Sequence, residues 1–286
     1  MSSAIEISIR DGKASMTRSE RIIADYIEPR LDEITGLSLD ELAGQIKTSK
    51  ASIVRFCKTL GFRGYRDFVL KLSEEAGYRR SDSEKKRYTD IRPGDATGTI
   101  VDNVCFANTQ SITDTRAILS IQTLDDVVSM IESSRRIFFF GIGASGLVCM
   151  DASQKFMRIN KQVWALTDSH SMKQAASLLD RNDAAIFISY SGTTAEVVSA
   201  LKIARPTGAR TVAITKYMKN NIGALCDKAL YISSPEVSIR SGAMGSRIAM
   251  LNVIDIIFSV YASRHYNDIE QYLDRSHDVL SSVTPD

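Results

Sequence analysis

The chain is predicted to fold as an all-α N-terminal domain followed by an α/β domain built on a five-stranded parallel sheet. Three observations carry this: helix-start signals crowd the first 60 residues, a polar and charge-rich stretch follows at 73–96, and five short apolar runs then alternate with helix-length segments. A length of 286 residues suits roughly two domains. The whole chain is nearly neutral, with 36 Lys+Arg against 34 Asp+Glu and 44% hydrophobic residues.

Thr17 with Glu20, and Ser38 with Glu41, have capping-box spacing and precede apolar residues at helical intervals. The first helix carries Ile22, Ile23, Tyr26 and Ile27, the second Leu39, Leu42, Ala43 and Ile46. A third helix is predicted over 49–60, after the short connection 47–49 and with Gly61 as its stop. Its Ile53, Phe56, Cys57 and Leu60 fall at i, i+3, i+4 and i+7, and its other face presents Ser52, Arg55 and Thr59 flanked by Lys50 and Lys58. A short helix, a tight turn and a helix with one apolar and one basic face form the arrangement that sets a helix-turn-helix in a major groove.

Charge supports this placement. From Lys47 to Lys71 seven basic residues, including Arg63 and Arg66, stand against one acid, Asp67, whereas residues 91–286 hold 19 of each sign. The basic patch therefore belongs to the small N-terminal domain. Residues 73–96 are almost free of aliphatic side chains and contain a Pro-Gly pair, so the predicted division is a domain at 1–78, a linker at 79–97 and a second domain at 98–286.

Helices are expected at 100–119 and 124–131. Strands follow at 137–140, 163–166, 184–189, 211–215 and 229–232, each a continuous apolar run of the kind that helices cover on both sides. A strongly apolar helix at 247–262 and an amphipathic one at 267–281 complete the chain.

Several function classes are disfavoured. The longest uncharged stretch, 137–150, has 14 residues and three glycines, short of the roughly 20 apolar residues of a membrane span. The opening residues include Glu6, Arg10, Asp11 and Lys13 and lack a secretory apolar core. A cytoplasmic protein without a membrane partner is expected. Cys57, Cys105, Cys149 and Cys226 are widely spaced and read as reduced, mostly buried thiols. No His, Asp or Glu cluster has ligand spacing, so neither a metal nor a cofactor is expected.

Two predicted strand ends are chemically unusual. The first strand runs into Gly141-Ile142-Gly143-Ala144-Ser145-Gly146, the third into Ser189-Tyr190-Ser191-Gly192-Thr193-Thr194, and each then opens a helix. Glycines let the backbone approach an anion, helix N-termini offer unpaired N–H groups, and hydroxyls add donors. With no lysine in either loop, this suits a monophosphate; no Walker A sequence is present. The first loop also matches G-x-G-x-x-G, with Asp168 following 22 residues after Gly146, which is the competing dinucleotide pattern. That alternative gives no role to the hydroxyl-rich second loop or to the basic helix.

The stretch 16–68, with its capping boxes and basic helix, resembles the helix-turn-helix of the RpiR family of bacterial transcriptional regulators. FFFGIGASG and ISYSGTTAEV resemble the sugar isomerase (SIS) phosphosugar-binding domain that follows it in that family. The resemblance implies a cytoplasmic, oligomeric DNA-binding regulator that senses a phosphorylated sugar, acting as a homodimer or homotetramer on a palindromic operator. By position, Gly143, Ser145, Ser189, Ser191 and Thr194 match the family's phosphate loops, with Thr193 in the same hydroxyl cluster. Lys50, Ser52, Arg55 and Lys58 match its recognition helix, with Arg63 and Arg66 expected on DNA phosphates. His170, after the second strand, is placed at the same sheet edge as both loops. Glu236, Arg240 and Arg247 flank a Gly-rich segment resembling one that reaches the sugar. A repressor of a sugar or amino-sugar operon, released by a sugar phosphate such as an N-acetylated amino-sugar 6-phosphate, is the expected function. A sugar-phosphate isomerase is the alternative, for which His170, Glu196 or Glu236 would have to act as the base.

Overall fold

The computed structural model describes residues 4–13, 16–76, 94–218, 220–234 and 243–282. They divide into two compact units: the residues up to Ile118 with Ser233 and Ser234, and Leu119–Ile232 with the residues from Ala243 onward.

The first unit is all-helical: α1 (Ala4–Gly12), α2 (Arg18–Ile27), a 3-10 turn at Glu28–Arg30, α3 (Leu31–Ile34), α4 (Leu39–Ile46), α5 (Lys50–Thr59), α6 (Tyr65–Ala76) and α7 (Thr97–Ile118). Both predicted capping boxes are present, with each N-cap hydroxyl accepting from the N3 amide and each N3 glutamate accepting from the N-cap amide. Lys47 ends α4 in a left-handed conformation at φ 56°, and Thr48 N–H donates to Ala43 O at 3.0 Å. This reverses the chain within three residues, before Ser49 caps α5. Ile23, Ile27, Leu42, Ile53, Phe56, Phe68 and Leu72 make the core of this unit. α1 has no counterpart in the sequence expectations. Of the predicted 79–97 linker, 79–93 lie outside the described residues.

The second unit runs α8 (Ile121–Glu132), β1 (Arg136–Phe140), α9 (Ala144–Met157), β2 (Gln162–Leu166), α10 (Ser169–Ser177), β3 (Asp183–Ile188), α11 (Ala195–Ala204), β4 (Arg210–Lys216), α12 (Asn221–Leu225), β5 (Lys228–Ile232), α13 (Met244–Arg264) and α14 (Tyr266–Ser282). The five strands form one sheet in the order β2-β1-β3-β4-β5, all pairs parallel. Alternation along the strands sends Ile137, Phe139 and Ile186 into a core with α8, α9 and α13. Phe138, Phe140 and Phe187 enter a second core with α10, α11 and α12. Phe140 and Phe187 stack at 4.6 Å between centroids, and burying a side chain of this size is worth about 2–3 kcal/mol. At the opposite strand ends Arg136 grips the fully buried Asp183 through two bonds of 2.8 and 2.6 Å, fixing the β1–β3 register.

Three expectations are corrected. β2 is not covered on both sides: it is an edge strand whose Gln162 and Trp164 are exposed. The apolar C-terminal helix begins at Met244 rather than 247, so Gly245, Ser246 and Arg247 lie in its first turn. At 21 residues this α13 is long and apolar enough to cross a bilayer, but its Ala249, Met250, Val253, Ile254 and Ile257 are packed in the core of the second unit. The four thiols are free; Cys57 and Cys149 are buried, Cys226 half-buried, and Cys105 exposed.

Candidate functional site

Parallel strands bring all their carboxyl ends to one edge, and β1 lies beside β3 where the strand order reverses. In open α/β sheets ligands bind at such a switch point. Both predicted loops emerge there, from directly paired strands. Gly141 N–H donates to Leu166 O and Ser189 N–H to Ile214 O, each at 3.1 Å, so the sheet ladder is continued into the base of each loop.

The second loop is a hydroxyl cluster. Ser189 Oγ lies 2.8 Å from Thr194 Oγ1 and 3.4 Å from Ser191 Oγ. Ser189 Oγ also accepts from Gly192 N–H at 3.2 Å, and Ser191 Oγ from Thr193 N–H at 3.3 Å and Thr193 Oγ1 at 3.2 Å. Ser189 is buried, whereas Ser191 and Thr193 are exposed and Thr194 half-buried. None of these hydroxyls caps α11: Thr194 is its N-cap residue but makes no side-chain cap bond. The first amides of the helix are thus left without a side-chain acceptor, a favourable setting for an anion.

The first loop is similar in kind. Gly143 is the N-cap of α9, again without a side-chain cap, and at φ +60° it has nothing within 4 Å of where a Cβ would be. Gly141 and Gly146 are tight-packing positions instead: a Cβ on Gly141 would lie 2.8 Å from Cys149 Sγ, and one on Gly146 3.1 Å from Gly141 O. Ser145 lies in the first turn of α9, buried, with Oγ 3.8 Å from Met250 Sδ of α13. Arg247 is three residues before Met250 on that helix, hence on the adjoining turn of the same face.

His170 is exposed in the first turn of α10, after β2. Asp168 caps that helix, accepting from the amides of His170 and Ser171 at 3.0 Å each and from the Ser171 hydroxyl. These bonds, the Ser171 hydroxyl foremost, hold its carboxyl below the ordinary carboxylate value. A carboxylate so engaged is poorly placed to serve as the ribose acceptor of a dinucleotide site. Glu236 and Arg240 lie outside the described residues. Among the described residues no three His, Cys, Asp or Glu side chains gather as a metal site.

Asn220 was not foreseen. It is buried, caps α12 by accepting from Gly223 N–H at 2.9 Å, donates to Met218 O at 2.8 Å, and packs on Gly192. Its only local signal is an Asn before a short helix.

In the first unit the buried face of α5 is Ile53, Phe56 and Cys57. Lys50, Arg55 and Lys58 are exposed and Ser52 is half-buried, with Arg55 Nη2 donating to Ser52 Oγ at 3.1 Å. Lys50 pairs with the exposed Asp40. Arg63 and Arg66 are exposed at the start of α6. Arg63 contacts Asp67 at 3.3 Å, and its backbone N–H on that carboxylate is the main cause of the lowered Asp67 pKa. Exposed pairs of this kind are worth about 0–1 kcal/mol, so a phosphate can take either cation. Thr59 Oγ1 donates to Glu20 at 2.6 Å, tying α5 to α2 and, with Thr17, holding the Glu20 carboxyl below its ordinary value.

The family profile "Helix-turn-helix domain, rpiR family" matches residues 4–78, and the profile "SIS domain" matches 130–260. An uncharacterized HTH-type transcriptional regulator of Caldanaerobacter subterraneus subsp. tengcongensis is 38% identical over 273 residues, 96% of this chain and 95% of the relative. Another from Bacillus subtilis is 31% identical across 96% of both chains. Among solved structures, the Vibrio vulnificus NanR protein complexed with ManNAc-6P has a TM-score of 0.62 at 22% identity, covering 98% of this chain and 99% of that one. The sugar isomerase domain of an RpiR transcription factor from Sphaerobacter thermophilus has a TM-score of 0.58 at 16% identity, covering 63% of this chain and 99% of its own. With an rpiR-type helix-turn-helix, a SIS domain behind it, and full-length regulators at this level of identity, the chain belongs to the RpiR family of HTH-type transcriptional regulators.

Proposed function

We propose that the protein is a repressor whose hold on a palindromic operator is released by a phosphorylated sugar bound between the β1 and β3 loops. The observation that supports this best is the pair of uncapped helix starts, α9 and α11, following adjacent strands, with a cluster of hydroxyls that bond to one another in the loop before α11. A phosphate dianion would replace those mutual contacts with charge-assisted ones. Its contacts are assigned to Gly143, Ser145, Ser189, Ser191, Thr193 and Thr194, with His170 and Arg247, and Glu236 and Arg240 from the Gly-rich segment, toward the sugar. The NanR complex with ManNAc-6P makes amino-sugar 6-phosphates the first ligands to try.

Thermal-shift titration against a panel of phosphosugars tests the site. The matching sugar phosphate raises the melting temperature, because a ligand that binds only the folded state stabilises it. Thr194→Val, which keeps the shape and removes a hydroxyl, is expected to cut that affinity about tenfold, the worth of one hydrogen bond to a charged group. An unchanged shift in this variant would move the phosphate elsewhere.

On the DNA side, Arg55 is assigned to base edges, Lys50, Lys58, Arg63 and Arg66 mainly to phosphates, and Ser52 to orienting Arg55. Arg55→Ala is expected to weaken operator binding by about 1–3 kcal/mol and relax sequence preference at one position. Lys58→Ala should weaken all sequences alike and lower the salt slope by about one. A gel-shift series in which Arg55→Ala retains both affinity and preference would remove α5 as the reading helix. Allosteric release further requires the sugar phosphate to bind more weakly when operator is present, which calorimetry with and without operator measures directly. Turnover of aldose or ketose phosphates by the purified protein would favour the isomerase alternative.

A further inference from the structure

A cation drawn partly out of water normally has a partner, because the lost hydration has to be offset. Among the described residues of the second unit, most half-buried Lys and Arg side chains obey this. Arg136 is met by Asp183, Lys155 by Asp151 and Asp255, Lys228 by Asp126, Arg210 by the Ser133 hydroxyl, and Lys161 by the face of the Tyr261 ring. Lys216 and Arg247 are also half-buried, and neither has a partner among the described residues.

These two cations stand at the carboxyl edge of the sheet and on the same face of it. Lys216 is the last residue of β4, two places after Ile214, whose side chain enters the core with α9 and α13. By strand alternation Lys216 faces the same way. Its N–H donates to Tyr190 O at 3.1 Å, and the Thr215 hydroxyl donates to the same oxygen at 3.4 Å, so the end of β4 is fastened to the loop after β3. The Lys216 backbone is therefore one strand spacing, about 5 Å, from the chain that carries Ser189 and Ser191. Arg247 lies in the first turn of α13. One turn on, Met250 Sδ meets Ser145 Oγ of the first turn of α9 at 3.8 Å, which sets the start of α13 at the carboxyl edge. Ala243, the N-cap of α13, gives its first amides no side-chain acceptor, so the backbone adds to the positive field there.

We propose that the effector is a sugar acid phosphate, with a carboxylate at the end away from its phosphate, and that Lys216 and Arg247 read that carboxylate. The proposal rests on the phosphate site proposed above and narrows the class of sugar derivative it takes. The hydroxyl loop opens α11, which packs on the opposite face of the sheet from α13. A ligand with its phosphate on that loop lies across the sheet edge and carries its far end to the α13 face. There the guanidinium offers a planar fork that matches a carboxylate, and the ammonium offers a further donor. Two unpaired cations at one corner are a cost to the free protein that an incoming anion relieves.

Calorimetry on the full chain with matched ligand pairs tests this. 6-Phosphogluconate and sorbitol 6-phosphate differ only at C1; N-acetylmuramic acid 6-phosphate and N-acetylglucosamine 6-phosphate differ by the lactyl carboxylate. In at least one pair the acid is expected to bind about tenfold or more tighter than its neutral twin, the worth of hydrogen bonds between charged groups. Lys216→Met should collapse that ratio and Lys216→Arg should keep it. Thr194→Val reads the phosphate end instead: there both twins weaken together and the ratio survives, so the two readings fail separately. Lys216→Met is also expected to raise the melting temperature of the ligand-free protein, because it removes a half-buried charge that has no counter-ion. A fall would mean that an acid of the chain is the partner of Lys216, and would overturn the assignment. So would acids that fail to bind or bind no better than their twins, a preference that persists in Lys216→Met, or tighter binding of fructose 1,6-bisphosphate than of either acid, which would make the second anion a phosphate.

Discussion

Gly192→Ala is expected to disable the β3 loop, proposed above to hold the phosphosugar, while leaving the helices of the first unit folded. Two costs coincide at this position. The backbone holds φ +67°, which an L side chain adopts at a cost of about 1–2 kcal/mol. A Cβ would also lie 2.1 Å from Asn220 Oδ1 and 2.7 Å from its Cβ, so the whole side chain has to leave, not only its tip. Asn220 is buried and bonded to Gly223 N–H and Met218 O, so displacing it also uncaps α12, at about 1 kcal/mol. Together these predict about 2–3 kcal/mol of destabilisation, concentrated where Ile222 N–H meets Gly192 O. Phosphosugar-dependent stabilisation should vanish and operator binding persist without release. Removing the obstacle tests the cause: Gly192→Ala with Asn220→Ala should be less destabilised than the two single costs added together, because the clash is paid only once. Strict additivity would mean that Asn220 is not what Gly192 makes room for.

The contrast between Gly192 and its partner shows where sequence reasoning stops. The capping boxes at Thr17 and Ser38, the reversal at Lys47 and the five apolar strands were legible because each rests on neighbours within a few residues. The β1 and β3 loops were legible as a pair because alternating strands and helices fix a parallel sheet, and its shared carboxyl edge brings distant loops together. Asn220 meets Gly192 across 28 residues, and nothing local announces that contact. β2 read as covered on both faces because Val163, Ala165 and Leu166 are as apolar as a central strand, but its place at the sheet edge is decided by strand order. α1 was illegible for a further reason. In AIEISIRDG the isoleucines Ile5, Ile7 and Ile9 alternate with polar residues at the period of a strand, yet all three are buried in a helix whose surroundings come from elsewhere in the first unit. There tertiary packing overrides the local period.

Arg10→Met is expected to loosen α1 by about 3–5 kcal/mol at neutral pH, the usual cost of leaving buried charge unpaired, and by clearly less at pH 5. Arg10 holds two carboxylates at once: Nε lies 3.2 Å from Asp11 and Nη2 2.8 Å from Asp114 of α7, with Ser233 Oγ also 2.8 Å from Nη2. Ser233 Oγ in turn donates to Asp11 at 2.8 Å, and Gln110 donates to the other oxygen of Asp114 at 2.5 Å. The Asp114 side chain is fully buried and that of Asp11 is 3% exposed. Burial outweighs the guanidinium and pushes the Asp11 carboxyl from 3.8 up to about 6, with the Asp114 charge adding to the rise. A carboxyl whose folded pKa exceeds its unfolded one binds protons preferentially in the folded state between the two values, so stability falls as pH rises from about 4 to about 6 and is flat above. For Asp11 this amounts to about 3 kcal/mol. In the wild type, protection of the α1 and α7 amides against hydrogen exchange, corrected for the intrinsic pH dependence of exchange, should therefore decline across that window. In Asp11→Asn, which keeps an acceptor for Ser233 and cannot ionise, the decline attributable to this site should be absent. Losing Arg10 removes the cation that among the described residues pairs with both carboxylates and drives the Asp11 pKa higher still, so at pH 5 the variant takes up a proton where at pH 7.5 it must bury a second uncompensated charge. If Arg10→Met costs the same at both pH values, Asp11 is already protonated at neutral pH in the wild type, and the guanidinium serves Asp114 alone.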